Sequence, residues 1–191
     1  RLKKMSNPAL LSRRVVRSCA LSGNLCRLLS GGGSSGLTHV NERGGAEMVD
    51  VAEKPESVRT ATASGRVLLG KQVYDLVKTN SMKKGDVLTV AQLAGIGAAK
   101  LTSQLIPLCH PVALTKVDVK LTLLEGTHEL LVESYAKCTG KTGVEMEALS
   151  AVTVAALTVY DMCKAVSRDL KITDVQLTSK TGGTRGDFHH A

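Results

Sequence analysis

From Val144 to Ser167 the chain runs without a single proline or glycine, and alanine and valine recur throughout the stretch. Its length and lack of breakers predict a helix. Apolar residues cover most of that helix's circumference, so whatever fold contains it must bury it on more than one side. One sheet face cannot do so, and the surplus predicts an oligomer.

The other elements follow from periodicity. Residues 57–69 mix β-branched and small residues as a strand does, and Lys71–Lys78 reads as a short helix with Val73, Leu76 and Val77 on one face. The polar break Lys83-Lys84-Gly85-Asp86 precedes a helix over 87–106, which Pro107 and Pro111 end. Val117, Val119, Leu121 and Leu123 alternate with Lys116, Asp118, Lys120 and Thr122, and residues 128–138 return as an antiparallel partner after a turn at Gly126. A last strand covers 172–179. The order β, α, α, β, β, α, β predicts an α+β domain with a ferredoxin-like antiparallel sheet and helices packed on one face.

Composition narrows the function classes. At 191 residues and 43% hydrophobic content, one domain plus a tail is expected. Tyr74, Tyr135, Tyr160 and Phe188 are the only aromatic side chains, so the sheet lacks the stacking platforms of single-strand nucleic-acid binders. The net charge of +8 is concentrated in residues 1–36, which hold seven basic groups and no acidic one. The rest carries 18 basic against 17 acidic groups, too even a balance for a phosphate-backbone surface, so no nucleic-acid partner is expected.

Residues 1–36 are rich in Arg, Ser and Leu and end in Ser30-Gly31-Gly32-Gly33-Ser34-Ser35-Gly36. They read as a flexible basic linker or a targeting segment, with 37–191 as the folded domain. The acid-free composition resembles a mitochondrial transit peptide, although the chain starts at Arg1. The mitochondrial matrix is the expected location, with the cytoplasm as alternative. No stretch approaches 18 purely apolar residues, which argues for a soluble protein without a spanning helix or a membrane partner. The five cysteines (Cys19, Cys26, Cys109, Cys138, Cys163) form no C-x-x-C pair, which argues against a zinc or iron–sulfur framework and against a disulfide scaffold.

Four motifs could carry chemistry, and each has a plainer alternative. Lys83-Lys84-Gly85-Asp86 is either a solvated turn or a loop that presents a lysine to phosphate. His110, between two prolines, is either a capping residue or a ligand-facing one, and Cys109 beside it has no second ligand pair at zinc spacing. Gly140-Lys141-Thr142-Gly143 lacks the first glycine of a phosphate loop, and Glu145 and Glu147 fit the first turn of a helix on dipole grounds alone. Asp161 and Lys164, at i and i+3, are either a surface ion pair or an acid/base couple. Glu147 and Asp161 lie about 21 Å apart along the helix, more than one small ligand spans. Either one of them is structural or the site draws on two protomers.

The strings 39–51 (HVNERGGAEMVDV), 58–65 (VRTATASG), 83–87 (KKGDV), 94–100 (AGIGAAK), 105–111 (LIPLCHP), 114–119 (LTKVDV), 139–149 (TGKTGVEMEAL) and 158–166 (TVYDMCKAV) together resemble the MoaC family, cyclic pyranopterin monophosphate synthase. The resemblance covers about four fifths of the chain in the family's order. It implies Asp161, Lys164 and Lys84 as catalytic residues. It implies substrate contacts from Leu108, Cys109, His110, Glu145, Met146, Glu147, Arg59 and Lys180. It further implies a homohexamer, a trimer of dimers with pockets between subunits, and a lyase acting in molybdenum cofactor biosynthesis. The implied substrate is 3′,8-cyclo-7,8-dihydroguanosine triphosphate, supplied by a radical-SAM GTP cyclase to which the domain can be fused in animals. No cofactor is required on this reading, and Mg²⁺ accompanying the triphosphate is left open. Thr184-Arg185 stand where the family usually has Lys-Ser, with Arg185 a substitute phosphate contact. From another class, the alternative is a non-enzymatic phosphate- or RNA-binding α+β module, supported by the basic tail.

Overall fold

A computed structural model of the chain describes residues 44–190, so the basic segment 1–36 lies outside the described residues. In chain order the elements are β1 (Ser57–Leu68), α1 (Gly70–Lys78), α2 (Val87–Lys100), α3 (Thr102–Leu105), β2 (Leu114–Leu124), β3 (Glu129–Gly140), α4 (Glu145–Cys163), β4 (Lys171–Thr181) and β5 (Phe188–His189). The strands pair antiparallel throughout, in the order β2-β3-β1-β4-β5. The first four positions reproduce the ferredoxin-like arrangement, with β5 added at one edge.

Strict alternation builds the sheet. On β1, Arg59, Ala61, Ala63 and Val67 turn inward and are buried, while Thr60, Thr62, Ser64 and Arg66 stay on the open face. Val119 of β2 and Leu130, Val132 and Ala136 of β3 continue the buried row, all fully inaccessible. Helix α4 lies across β1, β3 and β4, with Ala148, Ala151, Val152, Ala155, Ala156 and Val159 completely buried. Apart from Tyr74 the core is aliphatic, as a chain with so few aromatic rings requires.

Helix α2 packs along α4 through small residues. A Cβ at Gly95 would lie 2.8 Å from the Ala151 carbonyl oxygen and 3.2 Å from the Ala155 Cβ, so only glycine permits the approach. This packing revises one expectation. Much of the apolar circumference of α4 that suggested a neighbouring subunit is covered by α2 of the same chain. Met146 and Leu157 remain as its exposed large apolar side chains, with Val90 and Leu93 on α2. The membrane expectation also needs amendment, because α4 is by length and composition apolar enough to cross a membrane. It nevertheless packs as a core helix against sheet and helix.

Two local features depart from the sequence reading. The helix expected over 87–106 breaks at Leu101 (φ −106°, ψ 6°), where the buried Thr102 hydroxyl donates to the carbonyls of Ala98 and Ala99 at 3.2 and 3.1 Å. The last strand is followed by a reversal at Gly182, whose φ of +81° suits glycine and where a Cβ would collide with the Val58 carbonyl oxygen. That reversal lets β5 pair with Ser179 and Lys180, folding the tail back over the end of the sheet.

Candidate active site

The inward row of β1 ends at Arg59, the one charged member of an otherwise small and apolar series. It is only 6% exposed. Its Nε donates to the Gly140 carbonyl at 2.9 Å, but buried Nη2 meets no hydrogen-bond acceptor on the protein. A buried guanidinium left partly unsatisfied costs stability, and such groups recur where an anion or carbonyl of a ligand is received.

Arg59 borders a cavity of about 610 Å³ at the end of the sheet. Every substrate-contact candidate from the sequence lines it: Leu108, Cys109, His110, Glu145, Met146, Glu147, Arg59 and Lys180. The segment between Pro107 and Pro111 supplies the first three, and His110 Nε2 donates to the Val49 carbonyl at 2.7 Å. The remaining ring nitrogen, Nδ1, is then available as an acceptor when the imidazole is neutral. Helix α4 delivers Glu145, Met146 and Glu147 from its first turn. Lys180 arrives from β4 and pairs with Glu145 at 3.1 Å, each side chain 29% exposed.

Lys54, Lys141 and Arg185 also line the cavity, and sequence reasoning did not place the first two there. Lys141 donates to the Ala52 carbonyl at 2.6 Å, tying the segment around Val49–Lys54 across the opening. The Gly140-Lys141-Thr142-Gly143 string was the available signal. Rejecting it as a phosphate loop obscured that its lysine could still face an anion. Five basic side chains thus surround the cavity against two carboxylates.

Burial dominates the titration of the groups inside. Desolvation pushes the Glu147 carboxyl above its ordinary range, helped by the nearby Glu145 charge and opposed by a bond from its own backbone amide. The Cys109 thiol is also raised, by burial first and by Glu147 second, which makes it a weak nucleophile at neutral pH.

The three catalytic candidates are elsewhere. Asp161 sits on the exposed side of the last turn of α4, and its two oxygens are taken separately. Lys164 Nζ approaches Oδ1 at 2.6 Å and Lys84 Nζ approaches Oδ2 at 2.8 Å. Lys84 also donates to the Asp161 backbone carbonyl at 2.9 Å. The two ammonium groups, Lys164 first, lower the aspartate to about 2. The i, i+3 pair was visible in the sequence, whereas the third member, 77 residues away, was not. None of the three lines the cavity, which is bordered by residues at the opposite end of α4. Among the described residues, no group of three or more His, Cys, Asp or Glu side chains is arranged to hold a metal ion.

The MoaC family matches residues 48–183, well over half of the chain. The chain belongs to the MoaC family. Its relatives include molybdenum cofactor biosynthesis protein 1 of Mus musculus, 61% identical over 158 residues, 83% of this chain and 25% of that protein. The mitochondrial cyclic pyranopterin monophosphate synthase of Arabidopsis thaliana is 60% identical over 81% of this chain and 57% of its own length. The cyclic pyranopterin monophosphate synthase of Heliobacterium modesticaldum is 55% identical over 80% of this chain and 96% of its own length. The MoaC domain thus spans about a quarter of the animal protein and nearly all of the bacterial one.

Proposed function

We propose that this MoaC domain is a cyclic pyranopterin monophosphate synthase. It would take 3′,8-cyclo-7,8-dihydroguanosine triphosphate, release pyrophosphate and leave the cyclic monophosphate, placing it among the lyases of molybdenum cofactor biosynthesis. The observation that carries this reading is Arg59, a buried guanidinium with an unmatched donor at the wall of a cavity ringed by four further cations. Such a wall suits a polyanion. The volume suits one nucleotide-sized ligand.

The transformation requires ring opening, pyrazine closure and attack of a hydroxyl on the α-phosphate, hence proton-transfer groups beside fixed positive charge. Arg59 and Lys180 suit the phosphates, joined by Lys141 and Arg185. His110, Glu145 and Glu147 suit the guanine-derived ring, with Leu108, Cys109 and Met146 packing around it. Lys84, Asp161 and Lys164 suit proton transfer. The last group lies far along α4 from the cavity, so the working site joins the cavity of one subunit to the lysine pair of another within a homohexamer. A radical-SAM GTP cyclase supplies the substrate, and the mitochondrial matrix is the site of action, in line with the mitochondrial name of the Arabidopsis relative.

Two measurements test this reading. Incubation with the cyclised GTP derivative should release pyrophosphate stoichiometrically with the pterin product, and no release under any folded, oligomeric condition ends the proposal. Mixing the impaired Lys84→Ala and Arg59→Met proteins under subunit exchange should raise the activity above the sum of the two kept apart. Mixed oligomers confirmed by mass spectrometry yet no more active than that sum would place both residues in one protomer's site.

A further inference from the structure

Lys54 and Lys141 reach the mouth of the cavity from separate segments, and the structure ties one segment to the other. Residues 49–54 precede β1 and belong to no strand or helix. Their alternation lays Val49 and Val51 against the cavity, half-buried, and leaves Asp50 outside. The segment then turns on itself, with the Ala52 amide donating to Asp50 Oδ1 at 2.8 Å and the Lys54 amide donating to the Val51 carbonyl at 3.1 Å. Those bonds shape the segment without holding it to the domain. Among the described residues, two hydrogen bonds do the holding: His110 Nε2 to the Val49 carbonyl at 2.7 Å and Lys141 Nζ to the Ala52 carbonyl at 2.6 Å. The segment is a strap, and His110 fastens its start while Lys141 fastens its turn.

The lysine anchor is suited to a second partner. Lys141 follows Gly140, the last residue of β3, which pairs with Ser57 and accepts from Arg59 Nε at 2.9 Å. Its main chain is therefore held by the sheet, and its side chain alone crosses to the strap. A lysine ammonium is a compact charge with three donors on a flexible stem. One donor is spent on Ala52, a neutral acceptor, and the side chain borders the cavity, so the others can be met by anionic oxygens inside it. An ammonium fixed from both sides loses its freedom once for two bonds, so each partner favours the other.

We infer that Lys141 is a latch that couples phosphate occupancy of the cavity to closure of the strap. Its ammonium joins the Ala52 carbonyl to an anionic oxygen of the ligand, and the strap it holds carries Lys54 to the same ligand. This rests on the synthase reading above and deepens it. The Lys54 side chain is exposed and, among the described residues, makes no ion pair, so its place at the mouth is set by the strap's main chain. The two lysines are therefore not independent contacts. With the latch broken, His110 still holds the start of the strap, but the turn drifts and takes Lys54 with it. Removing Lys54 then costs little more. A ligand without phosphates leaves the latch with its strap partner alone and does not tighten it.

The test is a double-variant cycle on the full chain, read by kinetics and by hydrogen exchange. Lys141→Met keeps an unbranched stem and removes the donors, and Lys54→Met does the same on the strap. Exchange at residues 49–54 is followed over seconds without ligand, with inorganic tripolyphosphate, and with sodium chloride at matched ionic strength. Tripolyphosphate, unlike the chloride, should slow that exchange several-fold in the unaltered protein. It should leave Lys141→Met unchanged, with a strap that exchanges faster from the outset. In turnover of the cyclised GTP derivative, Lys141→Met should lower kcat/KM by about 10- to 100-fold, chiefly through KM, as when a charge-assisted contact to substrate is lost. Lys54→Met alone should cost about tenfold, and the double variant should fall within about twofold of Lys141→Met. Losses that multiply, together with exchange in Lys141→Met that tripolyphosphate still slows, would make the lysines separate phosphate contacts and overturn the latch while leaving the synthase reading in place. A chain that releases no pyrophosphate, yet protects residues 49–54 on tripolyphosphate only when Lys141 is present, would keep the latch and defeat the synthase reading instead.

Discussion

The two ends of α4 hold their charged groups by opposite physical means. At the N-terminal end, Glu147 and the neighbouring Arg59 are withdrawn from water, and desolvation governs what they do. At the C-terminal end Asp161 and its lysines stand in solvent, and close pairing governs them. Burial makes a charged form scarce and an unmet donor costly, so the first end is primed to gain from a ligand that completes it. Pairing holds the charged forms in place while leaving them exposed, so the second end is ordered without being covered.

The largest expected effect falls on the open end. Lys84→Ala should cut pyrophosphate release by about 10² or more while leaving the melting temperature nearly unchanged, because an exposed ion pair adds little to stability. A large loss of both together would mean that Lys84 holds the fold, and the contrast between the ends would be void.

Arg59→Met should behave as a buried site does. Losing a charge-assisted contact to a phosphate corresponds to about 10- to 100-fold in kcat/KM. Folding stability should move by less than about 1 kcal/mol, since removing a buried charge offsets the lost bond to Gly140. Denaturant unfolding alongside kinetics checks both halves, and a strongly destabilised variant with normal kcat/KM would make Arg59 a structural residue.

Glu147→Gln gives a smaller effect with a definite sign. Because burial raises the folded-state value above 4.5, the unaltered protein is most stable below that pH and loses stability as the pH climbs through the raised value. The variant should therefore gain stability at neutral pH, with the difference vanishing near pH 4. Equal thermal shifts at pH 4 and 7 would remove desolvation as the cause.

Asp161 supplies the opposite sign and the smallest effect. Its lowered value means that any contribution is present above pH 3.8 and disappears as the pH falls toward 2. Urea unfolding of the unaltered and Asp161→Asn proteins should differ slightly at pH 7 in low salt and converge in acid or in high salt. A difference that persists at pH 2 or in 1 M salt, on the order of that measured at pH 7, would point to packing instead of charge.

The contrast also explains what could be read in advance. The strands were legible because alternation is local, as in Val117, Val119, Leu121 and Leu123. Asp161 and Lys164 were legible as neighbours because a helix repeats every few residues. The break at Leu101 was not, since no glycine or proline marks it and the Thr102 hydroxyl that accompanies it acts only once buried. Strand β5 is two residues long and exists through its pairing with β4. The missing cavity lysines, Lys54 and Lys141, reach the site from separate segments, and no period connects them. The apolar surplus of α4 was read correctly as needing a cover, but Gly95 admits α2 to a contact that propensity alone cannot foresee.

Helix α4 also acts as a ruler with an angular scale. Each residue adds 1.5 Å and turns the far end by about 100°, so distance and bearing change together. One inserted residue would shift Asp161 by little in length yet swing it from its side of the helix toward another. Seven inserted residues would nearly restore the bearing and add about 10 Å. Any surface that meets both charged ends must match this helix in phase as well as in span, so length changes in α4 would keep that match only in steps close to whole turns.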